Sequence, residues 1–118
     1  MAQRREFIKG SIDSLLLCLI EQQPTYGYLI IKELESRSQG YFKFKEGTLY
    51  PALHRLEKAG LIRGEWRGLP NGRQRRYYHI TEKGLRSLVA ERGQWRDFLI
   101  AMNLIIQPAS DYDEEEKW

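Results

Sequence analysis

The sequence has few of the residues that cross-link a fold or build a metal cage. Among 118 residues there is one cysteine, Cys18, with two histidines and four prolines. A single cysteine excludes an internal disulfide framework. His54 and His79 stand far apart, Cys18 is remote from both, and no spacing has the pattern of a zinc or iron site. Long apolar runs are missing as well. The longest, Leu15–Ile20, has six residues, against about 20 for a helix that spans a bilayer. Met1–Lys9 is charged and lacks the hydrophobic stretch and cleavage site of a secretory signal. No glycine-rich phosphate loop, nucleophile elbow or His-Glu-x-x-His pattern occurs, and no repeat with a period of roughly 20–50 residues. The expectation is a cytoplasmic protein with no cofactor, no metal, no membrane contact and no enzymatic activity.

What is present is the composition of a folded chain, 42% hydrophobic and 30% charged. The length is one domain's worth, or one domain plus an appendage. The net charge of +3 hides an asymmetry. Asp111–Trp118 carries five acids and one base, leaving 18 basic residues against 11 acidic ones over residues 1–110. A basic body suggests a polyanionic partner. The acidic segment 108–118 is expected to be a disordered tail that solubilises the chain or shields its basic surface.

Periodicity places the elements. Ile8, Ile12, Leu15, Leu16, Leu19 and Ile20 form a broad helical stripe over Phe7–Gln22, ended by Pro24. Thr25 is the expected N-cap of a second helix, whose apolar face is Tyr28, Leu29, Ile30, Ile31 and Leu34. A third helix starts near Glu46–Thr48 and runs to Ala59, burying Leu49, Ala52, Leu53 and Leu56, with Gly60 as its C-terminal glycine. If Thr48 is its cap, Pro51 falls in the first turn, where a proline costs little. The pattern then changes to short, roughly alternating runs, Leu61–Arg67 and Arg73–Ile80, around the turn Gly68–Gly72. That predicts a two-stranded hairpin. Thr81 caps a last helix to about Gln107, in which Leu85, Leu88, Trp95, Leu99, Met102 and Ile106 fall on the a and d positions of a heptad. Arg92 occupies the remaining a position. A helix of about 26 residues is about 39 Å long. A small domain cannot cover all of it, so a homodimer through this seam is expected.

The order is helix, helix, helix, hairpin, long helix. The expected fold class is mostly α with a small β-hairpin, a winged helix-turn-helix followed by a long C-terminal dimerisation helix. The expected boundaries are 1–80 for the DNA-binding unit and 81–107 for the dimerisation helix. In such a module the third helix enters the major groove of double-stranded DNA and the hairpin reaches the neighbouring backbone or minor groove. Lys43, Lys45, Thr48, Tyr50, His54 and Arg55 are the candidate contacts on and before the third helix. Arg67, Gly72, Arg73 and Arg75 are the candidates on the hairpin. Five arginines against Glu65 between Arg63 and Arg76 repel one another unless an anion lies nearby, and the guanidinium fork matches phosphate. A solvated basic turn and an acidic protein partner are the other readings of the same residues. The fold serves both uses, so a protein interaction module stands beside a DNA-binding regulator.

The run Gly47–Ile62 (GTLYPALHRLEKAGLI) resembles the signature of the PadR family of bacterial transcriptional regulators. Tyr26-Gly27-Tyr28 before it follows the same pattern, as do Gly72-Arg73, Arg75-Arg76-Tyr77-Tyr78 and Thr81-Glu82-Lys83-Gly84 after it, in order and at similar spacing. The resemblance extends over about residues 8–107. It implies a winged-helix dimer that represses transcription from an inverted-repeat operator and is released by a small molecule. It also implies DNA contacts at Thr48, Tyr50, Arg55, Gly72 and Arg73. The short chain with one C-terminal helix is similar to the smaller subgroup, whose multidrug-responsive members stack flat aromatic ligands on a tryptophan of the last helix. Trp95 matches that position. The ligand site it implies comprises Trp95, Arg92, Leu99, Ile8 and Ile12, with a planar aromatic small molecule as the partner. Trp95 is alternatively a core residue. Arg92 departs from an all-apolar cavity and either pairs with an acid across the dimer, binds an anionic ligand, or snorkels to water.

Overall fold

A computed structural model describes the backbone of residues 2–107 and the side chains from Ser11 onward. The acidic tail of residues 108–118 and the side chain of Ile8 lie outside the described residues. The element order is α1 (Ala2–Gln22), β1 (Thr25–Tyr26), α2 (Gly27–Arg37), α3 (Glu46–Lys58), β2 (Ile62–Gly68), β3 (Gln74–Ile80) and α4 (Glu82–Ile106). The fold is a winged helix-turn-helix with a long C-terminal helix.

The core is built around α1. Ile12, Leu16, Leu17 and Ile20 of this helix are all buried, which its broad apolar stripe requires. Against them pack Ile30 and Leu34 of α2, Leu49, Leu53 and Leu56 of α3, Ile62 and Tyr78 of the sheet, and Leu88 of α4. Each such side chain removed from water contributes about 1.5–3 kcal/mol.

Two local expectations are corrected. Thr25 is not a cap. It is 4% exposed and pairs with Tyr78 in a short strand β1, so the sheet has three antiparallel strands in the order β1-β3-β2. A two-residue strand has no readable alternation, and Thr25 suits both roles by type. Tyr26 becomes the N-cap of α2, with no side-chain cap bond. Thr48 is not a cap either. α3 starts one turn earlier behind Lys45, and Pro51 is its sixth residue. Pro51 therefore removes the bond to the Gly47 carbonyl. Both residues are exposed, so water reaches that carbonyl.

The helix ends follow known closures. α3 closes with Leu61 N–H on the Leu56 carbonyl and Gly60 N–H on the Glu57 carbonyl, both at 3.0 Å, a Schellman motif. In the hairpin, Gly72 N–H reaches the Leu69 carbonyl at 3.0 Å and Leu69 N–H the Arg73 carbonyl at 2.7 Å. Gly72 sits at φ +85°, a conformation that side chains resist. The α4 cap is as expected. Thr81 Oγ1 accepts from Gly84 N–H at 3.0 Å and lies 2.6 Å from the Gly60 carbonyl. The first turn of α4 thereby sits directly on the α3–β2 link, and a Cβ at Gly84 would overlap the Leu61 carbonyl.

That contact has a measurable cost when filled. Gly84→Ala is expected to destabilise the protein by about 1–3 kcal/mol, because the obstacle is backbone and cannot move aside. Gly47→Ala, with nothing within 4 Å of the new methyl, is expected to raise stability by about 0.5–1 kcal/mol. Thermal unfolding of the two variants beside the unmodified protein checks both signs.

Candidate nucleic-acid interface

α2 and α3 both begin without a side-chain cap, at Tyr26 and Lys45. No side chain closes the first turn of either helix, a position that suits an anion, although Thr48 N–H already donates to the Lys45 carbonyl at 3.0 Å. Tyr50 of α3 lies against the start of α2. A side chain at Gly27 would overlap its ring, which gives the Tyr26-Gly27-Tyr28 run a steric reason. Tyr28 and Tyr50 line a crevice of about 440 Å³ together with Trp66, Leu69, Arg73 and Arg75 of the hairpin. The crevice thus brings the helix pair and the wing together.

Of the expected interface residues, Tyr50, Arg73 and Arg75 open into this crevice. Lys43, Lys45, Thr48 and His54 are exposed on and before α3. Gly72 shapes the turn. Arg55 is turned back, donating to Asp13 of α1 at 2.9 Å. Arg67, the cross-strand partner of Arg75, does not line the crevice and lies 4.2 Å above the Tyr77 ring and 2.9 Å from Glu65. Glu65 also meets His79 at 3.0 Å. The hydrogen bonds from His79 and Arg67 hold the Glu65 carboxyl below its ordinary range. Arg75 covers the Tyr26 ring at 4.0 Å. Trp66, 61% exposed in the crevice, was not singled out from the sequence. Alternation from buried Ile62 through Gly64 was the signal, because it places Trp66 on the inner face of the wing.

A second feature lies between α1 and α4. Ser11, Ser14, Leu15 and Cys18 on α1 face Leu88, Arg92, Trp95 and Leu99 on α4 and Phe42 of the α2–α3 link across a groove of about 410 Å³. Trp95 Nε1 donates to Ser14 Oγ at 3.2 Å, and Ser14 in turn bonds Glu91, which also accepts from Ser87 at 2.9 Å. The Trp95 ring meets Phe98 edge-on at 5.7 Å. Arg92 pairs with Glu21 of its own chain at 3.0 Å.

Ile12 does not line this groove. It is 3% exposed and belongs to the core, because its position on α1 turns it away from Ser11 and Ser14. Leu88 is also corrected as a seam residue. It is 2% exposed within its own chain and only edges the groove. Leu85, Leu99 and Ile106 are exposed, and Trp95 and Met102 half-buried. The heptad reading missed Val89, Phe98, Ile100, Leu104 and Ile105, exposed apolar residues of the same helix, with Ile105 at 83%. Among the described residues no helix is long and apolar enough to cross a membrane, and no cluster of three potential ligands could hold a metal.

Comparison with known proteins agrees with this architecture. The profile of the family described as "Transcriptional regulator PadR-like family" matches residues 16–90. An uncharacterized protein of Lysinibacillus sphaericus is 34% identical over 104 residues, 88% of this chain and 95% of that one. A transcriptional regulator of Mycobacterium tuberculosis is 35% identical over 88 residues, 75% of this chain and 78% of its own. The crystal structure of a PadR-like transcriptional regulator from Bacillus cereus superposes with a TM-score of 0.77 at 32% identity, covering 87% of this chain and 98% of that one. With the helix pair, the wing and the long last helix all matched, this chain belongs to the PadR-like family of transcriptional regulators, a family of regulators and not of enzymes.

Proposed function

We propose that the protein is a homodimeric repressor that binds an inverted repeat in double-stranded DNA and leaves it when a planar aromatic compound binds. One observation carries the reading. Arg73 and Arg75 of the wing open into the same crevice as Tyr28 and Tyr50 at the uncapped starts of the helix pair. Hydroxyls and guanidinium forks converge there, a donor set that phosphate oxygens take. Lys43, Lys45, Thr48 and His54 extend that surface along α3. Arg55 joins it by exchanging Asp13 for phosphate, since an exposed ion pair is worth only about 0–1 kcal/mol.

Dimerisation is supported by the far end of α4, where Phe98, Leu99, Ile100, Leu104, Ile105 and Ile106 are left in water. A helix that is apolar on nearly all sides needs cover. The effector is supported by the groove beside Trp95, within the roughly 300–1,000 Å³ range of small-molecule sites. Its one guanidinium, Arg92, is already paired with Glu21.

Three outcomes follow. Leu99→Glu with Met102→Glu is expected to give a monomer or an unfolded chain, since burial contributes about 25 cal/mol per Å². Analytical ultracentrifugation decides, and a folded dimer would remove α4 from the interface. Selection of bound genomic fragments is expected to recover inverted repeats with half-sites about one helical turn, or a multiple, apart. Arg73→Ala should then weaken all sequences alike and flatten the dependence of log affinity on log salt by about one. Unchanged slope and affinity place Arg73 off the DNA. Titration with planar dyes is expected to quench tryptophan fluorescence and lower DNA affinity, with weaker dye binding in Trp95→Ala. Equal binding by both forms would make Trp95 a packing residue.

A further inference from the structure

The wing stands on a short base. Only Ala59, Gly60 and Leu61 separate α3 from β2, and the reach of the turn depends on the angle made there. From Gly64 to the turn the hairpin extends roughly 20 Å, so a tilt of about 15° would carry the turn about 5 Å.

One side chain spans that angle. Glu57, in the last turn of α3, accepts from the Arg76 guanidinium at 2.6 Å and from Gly64 N–H at 3.3 Å through the same oxygen, Oε2. Arg76 is on β3 and Gly64 on β2, so one carboxylate holds both strands. The pair is two-thirds shielded, with side-chain exposures of 29% and 31%. Arg76 has a prepared seat. A Cβ at Gly64 would overlap its guanidinium, so the glycine supplies the space in which the cation lies. Trp66, directly across the ladder from Arg76, sits 5.1 Å from that cation. Arg76 is thus held by a carboxylate and an aromatic ring while seated over a glycine, unlike Arg73 beside it at the turn.

We infer that Glu57 is the positioning residue of the wing, fixing through Arg76 and Gly64 the angle at which the hairpin presents Arg73 and Arg75 beside α3. Its consequence for affinity rests on the DNA reading above, whereas the wing angle itself does not.

The test reads the angle directly. Spin labels are placed at Lys58→Cys and Asn71→Cys in the full chain carrying Cys18→Ser, diluted with excess unlabelled protein so that only pairs within one chain are seen. The otherwise unmodified chain is expected to give one narrow distance. Glu57→Ala and Arg76→Ala should each lose it, and Glu65→Ala, an acid on the outer face of the wing, should keep it. A narrow distance retained in both alanine variants, or lost equally in Glu65→Ala, overturns the inference. If the alanine variants do not fold, Glu57→Gln carries the same comparison, and an unchanged distribution in it overturns the inference. On a duplex selected from genomic fragments, Glu57→Ala should weaken binding roughly tenfold, the scale of one lost charged hydrogen bond. Arg73→Ala should then cost less in that background than alone. Equal factors in the two backgrounds overturn the inference. If the unmodified protein binds no duplex, the DNA reading fails and the label distances still decide the role of Glu57.

Discussion

Everything in this fold leans on the burial of α1. Its four innermost side chains are closed off by α2, α3, the sheet and α4 at once. The three-helix core, the wing base and the long last helix therefore share one hydrophobic contact set. Because interiors are close-packed, a shift of α1 is felt by all of them. The same helix presents Ser11, Ser14, Leu15 and Cys18 to the groove and Asp13 to Arg55 of α3. A site on one flank of α1 is thus one residue away from a contact with the third helix on the other.

The sequence carried the parts of this architecture that have a period. The stripes of α1 to α4, the hairpin and the Thr81 cap were all legible, because each repeats or punctuates at a spacing that only one element type satisfies. Thr25 was not, since two residues cannot display a period and its partner Tyr78 lies 53 residues away. Thr48 misled because its hydroxyl is a good cap by type, whereas α3 begins at Glu46 behind Lys45, with no side-chain cap bond. The candidate interface was legible as composition, five arginines in a short span, but not as geometry. Only the packed wing distinguishes Arg73 from Arg67, which lies on Tyr77, and from Arg76, which lines the same crevice but is paired with Glu57.

The polar residues near the groove show the same limit. Arg92 looked like an intruder on an apolar seam, and its partner Glu21 lies 71 residues away in sequence but 3.0 Å away in space. Ser14, on the first helix, satisfies the indole N–H of Trp95. Ser11, Ser14, Leu15 and Cys18 do have helical i, i+3, i+4, i+7 spacing. That signal was hidden because two of the four are serines, and a polar residue on a stripe is ordinarily taken as its wet edge.

The uncapped starts of α2 and α3 set stability against use. A Ser or Asp at either N-cap would add about 1 kcal/mol to the free protein. It would do so by occupying the very N–H groups that an anion needs. Tyr26 and Lys45 place no side chain on those groups, so the isolated chain forgoes that stabilisation. A bound polyanion would act there as the missing cap, and the helix pair would be at its most rigid only in the complex.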